Sequence, residues 1–242
     1  MPKTTRARGS IRVARIFGID IRLDWTFLLL VPLVALGSDL SQFWNSLLWI
    51  VAVFSSVLVH ELAHCFVARR RGAVVEDILL MPIGGLSQMQ QVPQAPADEA
   101  AIAVVGPLTS LALGLFFGAV GAVLVGARLW PPTLFAGPWF SRLAWLNLML
   151  GAFNLLPALP MDGGRVLRAE LARSHDRRSA TRIAGGTARV IALAMAVVGV
   201  LYDYWLVVIA LFVWLGARSE ENAAAGAADD ARQEEPSGRL GL

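Results

Sequence analysis

An apolar run over about residues 43–67 is interrupted near its end by His60-Glu61-Leu62-Ala63-His64, and no other feature constrains the chain as strongly. A run of that length and character reads as a membrane-spanning helix. Ionisable side chains inside such a helix are costly, so His60, Glu61 and His64 together mark a functional centre. A helix turns about 100° per residue, which puts His60 and His64 on one face, where both imidazoles can grip one metal ion. Glu61 lies on the neighbouring stripe and can reach a water bound to that metal, the arrangement of zinc peptidases. The competing reading is a chance match in a buried helix, and the apolar setting weighs against it.

Composition agrees with a chain built around lipid. Of 242 residues, 56% are hydrophobic and 16% charged, leaving room for one membrane domain and little else. The single cysteine, Cys65, excludes an internal disulfide; it lies about 100° around the helix from His64 and reads as a small packing residue rather than a ligand. A pI near 9.7 invites a nucleic-acid reading. The basic residues argue otherwise. Lys3, Arg6, Arg8, Arg12, Arg15 and Arg22 precede the first apolar run, Arg69, Arg70 and Arg71 close the second, and Arg165, Arg168, Arg173, Arg177, Arg178 and Arg182 separate the fourth from the fifth. That is a positive bias on alternate loops, which implies a multi-pass cell-membrane protein with both termini in the cytosol. The aromatic residues lie mostly in the apolar runs and are not interleaved with the basic clusters, so no nucleic-acid partner is expected. The first 24 residues lack a short apolar core with a small-residue cleavage site, so no cleavable signal peptide is expected either.

The expected fold is an all-α membrane protein of about six transmembrane helices, with a small β-hairpin or strand element near the cytosolic side. Residues 1–24 form a basic N-terminal segment whose alternation over 10–24 predicts short paired strands. Residues 25–217 hold the six spans, at about 25–36, 43–67, 100–125, 139–156, 183–201 and 205–217, the last two joined by a tight Tyr202-Asp203-Tyr204 turn. Residues 73–92 read as extended segments around a Gly84-Gly85 turn, because Pro82 and the glycines oppose a helix. Gly114, Gly118 and Ala122 make a close-packing stripe on the third span. A short basic helix is expected over 163–173. Residues 218–242, rich in Ala, Gly and charge without an apolar period, read as a disordered tail.

A second chemical segment follows the fourth span: Asn154-Leu155-Leu156-Pro157-Ala158-Leu159-Pro160-Met161-Asp162-Gly163-Gly164. The prolines break the helix and the glycines let the chain turn, holding Asp162 on a constrained stretch. Catalytic zinc takes three protein ligands and leaves one position open; His60 and His64 supply two, and Asp162 is the candidate third. The distribution of acids supports this choice, since the other carboxylates fall in the tail, in loops, at span edges or on the short basic helix, leaving Glu61 and Asp162 beside apolar spans. Asp162 also suits a helix N-cap ahead of Gly163. Asn154 can act as a substrate hydrogen-bond donor or, equally, as a helix-end cap or interhelical contact; Asn147 reads as packing, and His175, among Ser174, Asp176 and Arg177, as surface.

With these two motifs in this order and separated by apolar spans, residues 10–217 resemble the compact six-span branch of the site-2 protease family of intramembrane zinc metalloproteases. The resemblance rests on His60-Glu61-x-x-His64, on Asn154-x-x-Pro157-x-x-Pro160-x-Asp162-Gly163, and on the Gly84-Gly85 segment. It implies one zinc ion held by His60, His64 and Asp162, with Glu61 as catalytic acid and base. It also implies cleavage of single-span membrane proteins, trimmed first by another protease. Asn154, Gly84 and Gly85 are the expected substrate contacts, the glycine segment offering a strand edge to an unwound substrate. The CBS or PDZ modules found in many relatives are not expected here. Two rival readings stand beside this one. One is a catalytically silent zinc scaffold, which would not need Glu61. The other is a metal or proton transporter, which would be expected to show repeats and a polar path across the bilayer.

Overall fold

The computed structural model describes residues 9–30, 32, 40–82, 84–90, 95–129, 132, 134 and 137–234. They fall into two compact units, Met1–Pro93 with Val105–Ala152, and Gln94–Val104 with Phe153–Leu242.

In the first unit the expected strands form. β1 (Ser10–Ile16) and β2 (Ile19–Asp24) make a hairpin over Phe17-Gly18, and both turn residues take positive φ (49° and 77°). That turn matches the right-handed twist of the strands it joins. β3 (Val74–Met81) and β4 (Gly84–Gln90) complete a sheet of order β1-β2-β3-β4, parallel only between β2 and β3. The glycine pair does not form the turn: Gly84 and Gly85 open β4, paired with Met81 and Leu80. Gly84 has φ +144°, a conformation that side chains disfavour. Ile21, Ile78 and Leu80 are buried. Asp77 also sits in the sheet; burial pushes its carboxyl up from the ordinary value, against the pull of Arg22.

The crossover from β2 to β3 contains α1 (Leu40–Arg70), which packs on β3 and β4. α2 (Pro96–Val125) enters this unit at Val105. Its small residues allow close approach: a Cβ on Gly114 would stand 2.7 Å from Leu148 Cγ, and one on Gly151 of α3 (Trp139–Asn154) would stand 2.8 Å from both Leu111 Cγ and the Pro107 carbonyl oxygen. The expected packing stripe is thus present at Gly114. Asn147 is fully buried, and its amide donates to Ser56 Oγ and to the Leu143 carbonyl.

The second unit holds α4 (Asp162–Leu171), α5 (Arg177–Tyr202) and α6 (Tyr204–Glu234). Asp176 caps α5 by accepting the Ser179 N–H, which holds its carboxyl below the usual range. Ala184, Ala188 and Ala192, one turn apart on α5, are buried with Val213 and Ala217 of α6 and with Ala158, Leu159 and Met161. The tight turn expected at Tyr202-Asp203-Tyr204 joins α5 to α6, with the Asp203 N–H donating to the Gly199 carbonyl.

Among the described residues, three helices are long and apolar enough to cross a membrane: Gln42–Arg70, Pro96–Val125 and Arg177–Tyr202. No more than 28% of any of these apolar windows is buried inside the structure, so most of each window keeps some exposed surface. The six expected spans are not all of this kind. α3 has 16 residues, about 24 Å of helix against a hydrocarbon core of ~30 Å. The expected first span begins as a 3-10 turn, Trp25–Leu29, and most of its remainder lies outside the described residues. The segment expected to be disordered from residue 218 instead continues α6 to Glu234, residues 235–242 lying outside the described set. Its alanines favour helix, and Glu220 and Glu221 pair with Arg168 and Arg189.

Candidate metal centre

The first unit brings the two imidazoles together as the helical spacing predicts. His60 and His64 are each 4% exposed on α1, with their Nε2 atoms 3.1 Å apart. Two nitrogens bonded to one tetrahedral cation at ~2.05 Å would stand ~3.3 Å apart, so the pair is already spaced for a shared ion. The ring planes lie 76° apart, so the nitrogens converge without the rings stacking.

α2 supplies what the motif does not. His60 Nδ1 lies 2.9 Å from Ser110 Oγ. A proton held on Nδ1 by that contact puts the lone pair of the ring on Nε2. One turn earlier, Gly106 faces the pair. A Cβ there would lie 2.2 Å from His64 Nε2 and 2.8 Å from His60 Nε2, so the space beside both nitrogens exists because residue 106 has no side chain. Two imidazole nitrogens and a cleared space suit a divalent ion such as zinc.

Glu61 meets β4. Ser87 Oγ donates to Glu61 Oε2, and a Cβ on Gly85 would lie 2.6 Å from Glu61 Cγ. Gly85 is thereby placed against the glutamate, a role the reading of it as a substrate contact did not anticipate. Cys65 is fully buried, as expected of a packing residue, and also donates to Ser87 Oγ.

In the second unit, Asp162 is 8% exposed at the start of α4. It is not the cap: Met161 holds that position, without a side-chain cap bond. Its Oδ1 lies 3.8 Å from Arg165 Nη1. The glycines after it are needed for packing, since a Cβ on Gly163 would lie 2.3 Å from the Leu155 carbonyl oxygen and one on Gly164 2.3 Å from the Leu159 nitrogen. Asn154, half-buried, ends α3.

Sequence reasoning missed Ser87, Gly106 and Ser110, whose roles appear only once β4 and α2 are placed beside α1. It also put Glu99 among water-facing edge residues. The structure buries Glu99 at 4% exposure, accepting from Arg168 and paired with Arg177.

Comparison with known proteins gives concordant matches. The profile of peptidase family M50 matches residues 48–140 and 133–199. A zinc metalloprotease of Methanocaldococcus jannaschii is 40% identical over 215 residues, 87% of this chain and 60% of that protein. Rip3 of Mycobacterium tuberculosis is 35% identical over 235 residues, 88% of this chain and 59% of that protein. The chain therefore spans about 60% of the length of these curated relatives. Among solved structures, the site-2 protease from Methanocaldococcus jannaschii superposes with a TM-score of 0.64 at 38% identity, covering 88% of this chain and 95% of that one.

Proposed function

The chain belongs to peptidase family M50, the site-2 protease family, and on that premise we propose that it is an intramembrane zinc endopeptidase. Its substrates in this reading are the transmembrane segments of single-span proteins, already trimmed by another protease, so that cleavage completes a regulated release or clears a membrane remnant. The observation that carries the reading is the buried pair of Nε2 atoms 3.1 Å apart, on a helix long and apolar enough to cross a membrane, with Glu61 next in sequence.

His60, His64 and Asp162 are the proposed ligands, a two-histidine, one-carboxylate set of the kind catalytic zinc takes. Bound there, zinc supplies a Lewis acid and lowers the pKa of water toward neutrality. Glu61 takes the proton from the attacking water and returns it to the leaving amine. Asn154 donates to the substrate backbone or to the developing oxyanion. β4 is the outer strand of its sheet among the described residues. An unwound substrate pairs with its open edge at the Gly84-Gly85 end. The topology in this reading adds α3, the first half of α6 and the segment from Trp25 as further crossings, six in all with both termini cytosolic.

Purified chain in lipid nanodiscs, given a model single-span substrate, tests this. Cleavage should require metal, stop in the Glu61→Gln variant while metal stays bound, and stop in Asp162→Ala with metal lost. Cutting that survives chelation or Glu61→Gln would overturn it. Absence of cutting with metal bound would favour a scaffold, and ion flux that survives Glu61→Gln would favour a transporter.

A further inference from the structure

Glu61 and Cys65 lie one turn apart on α1, and Gly85 and Ser87 lie two residues apart on β4, so each pair shares a face of its element. The two faces meet. Ser87 Oγ donates to Glu61 Oε2 at 2.5 Å, within the range of a hydroxyl bonded to a carboxylate. Cys65 Sγ donates to the same Ser87 oxygen at 3.5 Å, which turns the hydroxyl proton toward Glu61. On the other side, a Cβ at Gly85 would lie 3.1 Å from Glu61 Oε1, so that oxygen runs beside bare backbone. A glutamate on a helix otherwise samples several rotamers, and a base that wanders is rarely within reach of the proton it must take.

We propose that Ser87 is a positioning residue for the general base: it engages Oε2 of Glu61 and leaves Oε1 as the oxygen that exchanges the proton. This rests on the peptidase reading above. The strand that would receive substrate thereby also sets the base, so the two are aligned by one element.

The test compares kcat, KM and bound metal for the wild type, Ser87→Ala, Ser87→Thr and Ser87→Val in nanodiscs with the single-span substrate. Thr keeps the hydroxyl, whereas Val has nearly the same shape without it. Ser87→Ala and Ser87→Val should lower kcat on the order of 10- to 100-fold with KM within about twofold. Ser87→Thr should retain most of the activity, and all four should bind equal metal. Equal kcat in wild type and Ser87→Ala overturns the inference, as does equal loss in Thr and Val with metal retained. Should Ser87→Ala fail to fold, the Thr and Val pair decides alone. A wild type that does not cut, or a Glu61→Gln variant that does, refutes the peptidase reading instead, whatever Ser87 contributes.

Discussion

Gly106→Ala is the smallest change that should empty the metal centre of a folded protein. Its Cβ would lie 2.2 Å from His64 Nε2, 2.5 Å from His64 Cε1 and 2.8 Å from His60 Nε2. Non-bonded carbon and nitrogen settle at about 3.4 Å, near the optimum for non-bonded heavy atoms, so His64 Nε2 must retreat by roughly 1.2 Å and His60 Nε2 by roughly 0.6 Å. Metal–ligand bonds tolerate about 0.2 Å, so at least one imidazole leaves the coordination set. Loss of an outer-shell contact alone costs 10- to 100-fold in affinity, and displacement of a ligand should cost at least ~100-fold. The fold should survive, because the obstructed atoms end rotatable side chains and Ala favours helix over Gly by about 1 kcal/mol. The assay is bound metal per chain after competition with a graded chelator, beside a thermal melt. The expected result is a melt for the apo protein close to that of chelated wild type, with metal lost. One equivalent of metal held with wild-type affinity would show that the imidazoles do not face Gly106 when they bind, and the geometry argued for the centre would fall.

Three further outcomes follow from other contacts. Ser110→Ala removes the hydroxyl beside His60 Nδ1 and should weaken metal binding about 10- to 100-fold in the same competition, whereas Ser110→Thr should not. Glu99→Ala leaves the buried Arg168 without the carboxylate it bonds through Nε and Nη2, and should cost ~3–5 kcal/mol in thermal or denaturant unfolding. Pairing that change with Arg168→Met should recover much of the loss, and a single variant of wild-type stability would refute the burial of this cluster. Asp77 gives a pH signature. Burial raises its pKa in the folded state, so the unfolded chain is the more readily ionised and gains on the folded one as pH rises. The melting temperature of wild type relative to Asp77→Asn should therefore be highest below the ordinary carboxyl range near 3.9 and fall as pH passes the raised folded value; a pH-independent difference would refute the shift.

The parts of this protein legible in its sequence are those set by local periodicity and local chemistry. His60 and His64 share a face because a helix repeats every 3.6 residues, and the structure brings their nitrogens together on that basis. The first strand pair shows as alternation, the second as Pro82 and glycines that oppose a helix, and the break after α3 as prolines. What stayed hidden depends on partners distant in sequence. Nothing near Ser87 or Ser110 distinguishes them from other serines until 26 residues of chain bring one to Glu61 and 50 bring the other to His60. Glu99 reads as a solvated span edge until Arg168, 69 residues on, covers it. The helix beyond residue 218 was missed for a related reason: its sequence has no apolar period, and its tertiary anchors are the pairs of Glu220 and Glu221 with Arg168 and Arg189.

The choice of supporting groups follows from the medium. His60 is buried in an apolar helix, so the second nitrogen of its imidazole must find a protein partner, and the second oxygen of the part-buried Glu61 finds one on β4. A carboxylate partner for His60 would fix the tautomer but add a buried charge to a centre that already contains Glu61, at a desolvation penalty of several kcal/mol. Ser110 fixes it with a neutral hydroxyl, and Ser87 does the same for Glu61. Both serines therefore orient a reactive group without changing the charge beside it. If this reasoning holds, Ser110→Asp should weaken metal binding or folding despite offering a stronger acceptor to Nδ1, and should do worse than Ser110→Thr in both chelator competition and thermal melt. Tighter metal binding by Ser110→Asp in a fully folded protein would show that charge at this depth is tolerated and that His60 does not require a neutral partner.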